Sequence, residues 1–216
     1  MAAASGRTHV TQRERSDSTI EALLAAAREQ FATHGYHAAS LDAVCGQAHM
    51  TKGALYHHFS GKKDLFRAVY EREQRRLARV VARAYTAAET AEPGAWQAVY
   101  AGARAFLAEV LAADVQRITL LDAPSALGTD AIREMSTGCL QMMQEGIRRA
   151  AEAGDIATRS VPALGHLLYG ALCESAMAIA GAEDQEEALA ETLGELEGLF
   201  DALAVAGRKP LGAGAY

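Results

Sequence analysis

The chain predicts an all-α fold, and three observations lead there. Half of its 216 residues are apolar, with alanine the most frequent, whereas aromatic residues reach only 6% and Val, Ile and Thr are sparse. That balance favours helix over strand. Only four prolines interrupt the chain, leaving long stretches in which helices can run unbroken. Within those stretches apolar residues recur three or four apart. About nine helices result, with no convincing strand and no internal repeat.

Residues 1–16 are small and polar and are expected to be a disordered arm. The first helix is expected near Ser18, which with Glu21 forms an S-x-x-E capping box. Ile20, Leu23, Leu24, Ala27 and Phe31 carry its apolar spacing, and Gly35 is expected to end it as a left-handed cap. Ser40 offers an N-cap to a short helix through Ala48, with Asp42 at the positive end of the dipole. Thr51 caps a second short helix to about His58, and Ser60-Gly61 breaks it. A long helix follows from about Lys62 to Ala87, with Leu65, Val69, Leu77 and Val80 inward and Arg72, Arg75, Arg76 and Arg79 outward. Pro93-Gly94 opens the next, Ala95 to Ala113. Asp114 is expected to cap a shorter helix ending at Pro124. A long segment then spans Thr129 to Ala153 and closes at Gly154. Ser160 and Pro162 start an apolar helix, and a last helix covers about Asp184 to Ala206. The segments thus divide as 1–16, 17–62, 63–207 and a flexible tail at 208–216.

The net charge of −6 is unevenly spread. Residues 1–67 hold eight Lys/Arg against six Asp/Glu and six of the seven histidines, and the remainder is acidic. An acidic average disfavours a polyanion binder over the whole surface but leaves the amino-terminal third able to dock on one. Cys45, Cys139 and Cys173 stand far apart without C-x-x-C spacing, which suits buried small hydrophobes, with a redox-sensing thiol as the alternative, and demands no oxidising compartment. The first residues lack the apolar segment of a secretory signal. Residues 161–182 are apolar enough to suggest a membrane span, yet contain His166 and Glu174. A central carboxylate in lipid costs a few kcal/mol, so a soluble, cytoplasmic protein with no membrane partner is expected.

Two short helices joined by a tight turn and braced by a longer preceding helix make a helix-turn-helix pattern. Here the pair is Leu41–Ala48 and Lys52–His58, with the turn at His49–Thr51. Val44, Ala48, Leu55 and Phe59 would face the brace through Leu24, Ala27 and Phe31. Lys52, Gly53, Tyr56 and His57 are then left exposed, where they can meet phosphate oxygens or base edges, and Gly53 permits close backbone approach. His57-His58, with His34, His37 and His49 nearby, also invites a metal reading. Adjacent histidines on a helix point about 100° apart, however, and no Cys or carboxylate cluster completes a ligand set, so no metal and no cofactor is expected.

The span IEALLAAAREQFATHGYHAASLDAVCGQAHMTKGALYHHFSGKKDLF resembles the amino-terminal DNA-binding domain of the TetR family of transcriptional regulators. The marks are Ala26-Ala27 before Phe31, Gly35-Tyr36, Lys52-Gly53 and Leu55-Tyr56-His57-His58-Phe59 followed by Lys62. The resemblance covers about residues 18–70; the rest of the chain matches only in being helical. It implies that Thr51, Lys52, Gly53, Tyr56 and His57 lie in or beside the major groove of double-stranded DNA. It also implies that Ser40 and Lys62 grip phosphates and that His58 sits on the far side of the helix. The sequence departs from the family pattern at Ala39, where a threonine is common, and at His49, where glycine is usual in the turn.

The family also implies a small-molecule effector held among the middle helices. Polar or bulky residues within apolar patterns are the candidates: Trp96, Tyr100, Arg104, Arg117, Met143, His166 and Tyr169. Such a lining suits a small, mostly apolar effector held by a few hydrogen bonds. A reader of this kind needs two copies about 34 Å apart on a palindromic operator. The last two helices offer a homodimer interface through Leu164, Leu168, Leu172, Leu189, Leu193, Leu196 and Phe200, with Gly165 and Ala171 for close approach; the same residues also suit the chain's own core. The expected function is a ligand-released repressor. An enzyme built on Asp122, His166 and Glu174 is disfavoured, because no nucleophile motif, phosphate loop or carboxylate pair accompanies them. A helical interaction module is the other alternative.

Overall fold

The computed structural model describes residues 12–91 and 94–205, and structural statements concern those. The first helix, α1, spans Gln12–Ala38. It begins six residues ahead of the predicted Ser18, which therefore lies inside the helix and does not cap it. The apolar pattern marks where the helix starts to pack, not where it begins. Of the predicted disordered arm, residues 12–16 are thus helical and 1–11 lie outside the described residues, as does the predicted tail. Gly35 has φ 75° and ψ 167°. This is a region essentially confined to glycine, different from the predicted left-handed cap, and the chain turns sharply there.

Ser40 caps α2 (Leu41–Gln47) by accepting from the Asp42 amide. Thr51 caps α3 (Lys52–His58) by accepting from the Ala54 amide at 3.1 Å. Between them His49 has φ 53°, alone among the described non-glycine residues in being positive. The next helix, α4, covers Lys62–Ala91. The chain divides into two compact units, Met1–Val69 and Tyr70–Tyr216. The first turns of α4 belong with the amino-terminal unit, because Phe66 packs edge-on against Phe31 and Tyr36, each at 5.0 Å. Leu23, Ala27, Phe31, Val44, Leu55, Leu65 and Phe66 form the core of that unit.

In the second unit α4 is followed by α5 (Ala95–Glu109), α6 (Ala113–Val115), a π-helical segment (Gln116–Asp122) and α7 (Ala123–Leu127). Two expectations fail here. Asp114 lies in the first turn of α6 and Ala112 occupies the cap. Pro124 does not end a helix: it sits in the first turn of α7, where a missing N–H is tolerated, after a stretch wound with the wider π turn. The predicted segment 129–153 is two helices, α8 (Thr129–Met135) and α9 (Thr137–Glu152), meeting at Ser136. Gly154, with φ 72°, turns the chain after α9. The helices expected to start near Ser160 and Asp184 are α10 (Val161–Gly181) and α11 (Gln185–Leu203), which those two residues cap. Trp96 stacks on Phe200, ring centres 4.3 Å apart, and its indole N–H donates to the Phe200 carbonyl at 2.9 Å. Leu107, Ile147, Leu172 and Ile179 complete this core. By length and composition α10 could cross a membrane; its Leu168, Leu172, Ala176 and Ile179 are buried in the unit.

Candidate nucleic-acid interface and ligand cavity

Helix α3 has two faces set by its spacing. Leu55 and Phe59 are buried four residues apart, while Lys52 and Tyr56, also four apart, project outward with Tyr56 55% exposed. Thr51, Gly53, His57 and Ser40 are exposed, and His58 is half-buried. At both Ser40 and Thr51 the hydroxyl oxygen caps a helix through a lone pair. The O–H of each therefore remains able to donate to a phosphate. Gly53 leaves open space above the helix: an added Cβ would meet only the Thr51 hydroxyl at 3.7 Å.

Two of the predicted cations already have partners. The Lys52 ammonium lies 2.6 Å from Asp42, an exposed pair, and this contact raises its pKa. Lys62 donates to the His37 carbonyl at 2.8 Å and lies over the Tyr36 ring; burial lowers its pKa. An ammonium has three donors, so Lys62 can tie the start of α4 to the end of α1 and still offer a donor to phosphate. Among the described residues no three His, Cys, Asp or Glu side chains cluster as metal ligands. The His57 and His58 rings meet edge to face at 4.9 Å.

A cavity opens in the second unit, with about 690 Å³ of unfilled space counting its mouth. Its wall is built by Gln74, Leu77, Ala78, Val81 and Tyr85 from α4, Val99, Gly102, Ala103 and Phe106 from α5, Cys139, Met142 and Met143 from α9, and Tyr169 and Leu172 from α10. Of the seven predicted effector residues, only Met143 and Tyr169 line it. Trp96 and Tyr100 are buried against Phe200. Arg104 is exposed over the Tyr100 ring, and Arg117 pairs with Asp122 at 3.3 Å. His166 is exposed, its Nδ1 hydrogen-bonded to the Pro162 carbonyl. The α4 and α5 residues were missed because alanine, valine and glycine on an apolar helix side read as ordinary core. Ser136, buried where α8 meets α9, stands within side-chain hydrogen-bonding reach of both Tyr70 and Tyr169.

The seven residues expected to serve both pairing and the chain's own core all contribute to that core. Leu168, Leu172, Leu189, Leu196 and Phe200 are buried in the unit's own core, with Leu164 and Leu193 partly buried against it. Gly165 serves the packing of α10 on α9, since a Cβ there would come within 2.6 Å of Gln144. The outward sides of α10 and α11 carry Leu167, 71% exposed, with Met177 and Leu199 and exposed small residues at Gly170, Ala171, Ala178, Gly194, Gly198 and Ala202. The three cysteines are free, and burial raises each thiol's pKa, which leaves them protonated and poorly nucleophilic.

Residues 23–69 match the family described as bacterial regulatory proteins, tetR family, and residues 96–203 match the tetracyclin repressor-like C-terminal domain. A crystal structure of a TetR-family transcriptional regulator from Pectobacterium atrosepticum is 36% identical in sequence. It covers 92% of this chain and 100% of its own, with a TM-score of 0.78. The Tn10 TetC protein of Escherichia coli is 38% identical over 88 residues, 41% of this chain and 42% of TetC. UidR, a helix-turn-helix transcriptional regulator of Escherichia coli K12, is 45% identical over 54 residues, 25% of this chain and 28% of UidR. The chain thus matches less than half the length of these two curated relatives.

Proposed function

Since the chain belongs to the tetR family of bacterial regulatory proteins, we propose that it binds a palindromic operator as a homodimeric repressor and is released by a small-molecule effector. It is a DNA-binding transcriptional regulator and not an enzyme. The observation that carries the proposal is the two-faced α3: Leu55 and Phe59 anchor it while Lys52, Gly53, Tyr56 and His57 stand clear of the core. In this reading those four enter the major groove, with Thr51 beside them, and Ser40 and Lys62 hold the backbone. On binding, a phosphate oxygen takes the place of Asp42 at the Lys52 ammonium.

Pairing uses the outward sides of α10 and α11, where Leu167, Met177 and Leu199 are exposed beside small residues. Two such helix pairs related by a twofold axis form a four-helix interface. The effector occupies the cavity, five of whose wall residues lie on α4. Because α4 starts at Lys62, a ligand that shifts it changes the spacing of the two reading heads. A ligand that binds the released state better by about 1–3 kcal/mol suffices for typical coupling. The regulator works in the cytoplasm.

Selection of bound sequences from a random DNA pool tests the proposal and should return a palindrome with half-sites about one helical turn apart. Tyr56→Ala and Lys52→Ala are each expected to abolish the sequence-specific gel shift while the protein stays folded. Retention of specific binding by both folded variants would remove α3 as the reader.

A further inference from the structure

None of the fourteen residues around the cavity is Asp, Glu, Lys, Arg or His. Two arginines next to the wall are paired with glutamates. Arg76, between the wall residues Gln74 and Leu77, binds Glu73 at 3.0 Å and Glu109 at 2.8 Å. Arg149, beside Tyr85, binds Glu145 at 3.1 Å and Glu89 at 3.4 Å. Each guanidinium thus already faces two carboxylates, so an anionic ligand at this wall would compete with them for it.

The polar groups that remain on the wall are neutral. Burial raises the phenol pKa of both Tyr85 and Tyr169, so each keeps its proton at any physiological pH. The Tyr85 hydroxyl is buried, with the Arg149 guanidinium beside it. The Gln74 amide and the two hydroxyls can supply one or two hydrogen bonds, but nothing in the wall can neutralise an ion.

We propose that the effector of this regulator is an uncharged, predominantly apolar small molecule, and that the cavity rejects ligands whose bound part is ionised. The inference rests on the reading of the chain as an effector-responsive regulator, and it narrows that reading to a ligand class. An ionised group placed here would lose its water without gaining a counter-ion, whereas an aromatic or aliphatic body would replace unfavourable hydration of Leu77, Val81, Phe106 and Met143.

A matched pair of fluorescent probes tests it. N-phenyl-1-naphthylamine and 8-anilinonaphthalene-1-sulfonate share one aromatic skeleton and differ by a sulfonate. Titrated into the full chain, the uncharged probe is expected to bind at least about tenfold tighter. Ala103→Leu and Ala78→Leu fill the cavity from two helices; each is expected to weaken that binding at least about tenfold, with the helical circular dichroism unchanged. Ala78 is only partly buried, which keeps one variant informative if the other misfolds. Equal or tighter binding of the sulfonate, absence of saturable binding by the uncharged probe, or unchanged affinity in the folded variants overturns the ligand class. Operator selection on the same preparation separates the two readings. A palindrome recovered alongside failed probes overturns only the ligand class. Probes that behave as expected without specific DNA binding overturn the regulator reading and leave the cavity chemistry standing.

Discussion

In the amino-terminal unit Leu55 is buried and its neighbour Tyr56 is 55% exposed; in the carboxy-terminal unit Leu168 is buried and its neighbour Leu167 is 71% exposed. Both pairs divide a helix into an inner and an outer face, but only the first divides it by residue chemistry. On α3 the outer face carries Lys52, Tyr56 and His57, groups that a core would not accept unpaired. On α10 the outer face is mostly apolar too, with Leu167, Gly170, Ala171, Met177 and Ala178 exposed beside His166 and Glu174. Polar–apolar contrast therefore reveals which side of a helix faces away from the core, and says little when both sides are mostly apolar.

The variant expected to act most strongly on this comparison is Leu167→Arg. It places a charge on the proposed pairing face without touching the core. Sedimentation should show a monomer, and operator affinity should fall by about a hundredfold or more as the second half-site contact is lost. A dimer of unchanged affinity would return the interface to the inward leucines or elsewhere. Phe31→Ala attacks the other unit, where the ring packs against Phe66 and Tyr36. Large-to-small changes of a buried aromatic cost about 3–5 kcal/mol, so urea denaturation should show a loss of that size and operator binding should vanish with it.

Two smaller effects sharpen the contrast between turn and surface. His49→Gly relieves a positive φ that costs a residue with a Cβ roughly 1–2 kcal/mol. Part of this is returned as glycine's extra freedom in the unfolded chain, so a net gain of up to about 1 kcal/mol is expected from the same denaturation curve. The smallest effect comes from Glu145, held at about 2 by Arg148 and Arg149 against an ordinary 4.5. Above pH 4.5 the carboxylate is ionised both folded and unfolded, and its contribution is complete. As pH falls from 4.5 toward about 2, the unfolded chain takes up the proton first and that contribution fades. Glu145→Gln should flatten this part of the stability–pH profile slightly, and less so in high salt, since the group is exposed.

The reading head was legible because its signals are local. Ser40 and Thr51 cap the helices they were expected to cap, and the helix expected to start at Ser160 is capped by it. A cap binds an amide two or three residues away, so its cause lies within its own window of sequence. Local signals also failed at Ser18 and Asp114, which lie inside α1 and α6; the remaining failures come from outside the window. Pro124 was expected to stop a helix, yet a π turn before it lets the chain continue. Ser136 interrupts what read as one helix, where its hydroxyl reaches Tyr70 and Tyr169 from distant parts of the chain. Arg104 and Arg117 looked like ligand contacts because they are polar in apolar surroundings, but one faces a tyrosine ring and the other an aspartate.

By itself the sequence determined the helical class, the helix starts at Ser40, Thr51 and Ser160 and the identity of the exposed groups on α3, because propensity, capping and amphipathic spacing act over a few residues. Tertiary structure decided which side of α10 and α11 is buried, where the cavity lies and that its wall carries no charge. Those outcomes depend on which of several equally apolar surfaces finds a partner, and on which arginine each glutamate reaches. That is a property of the assembled core, settled by packing between segments far apart in the chain.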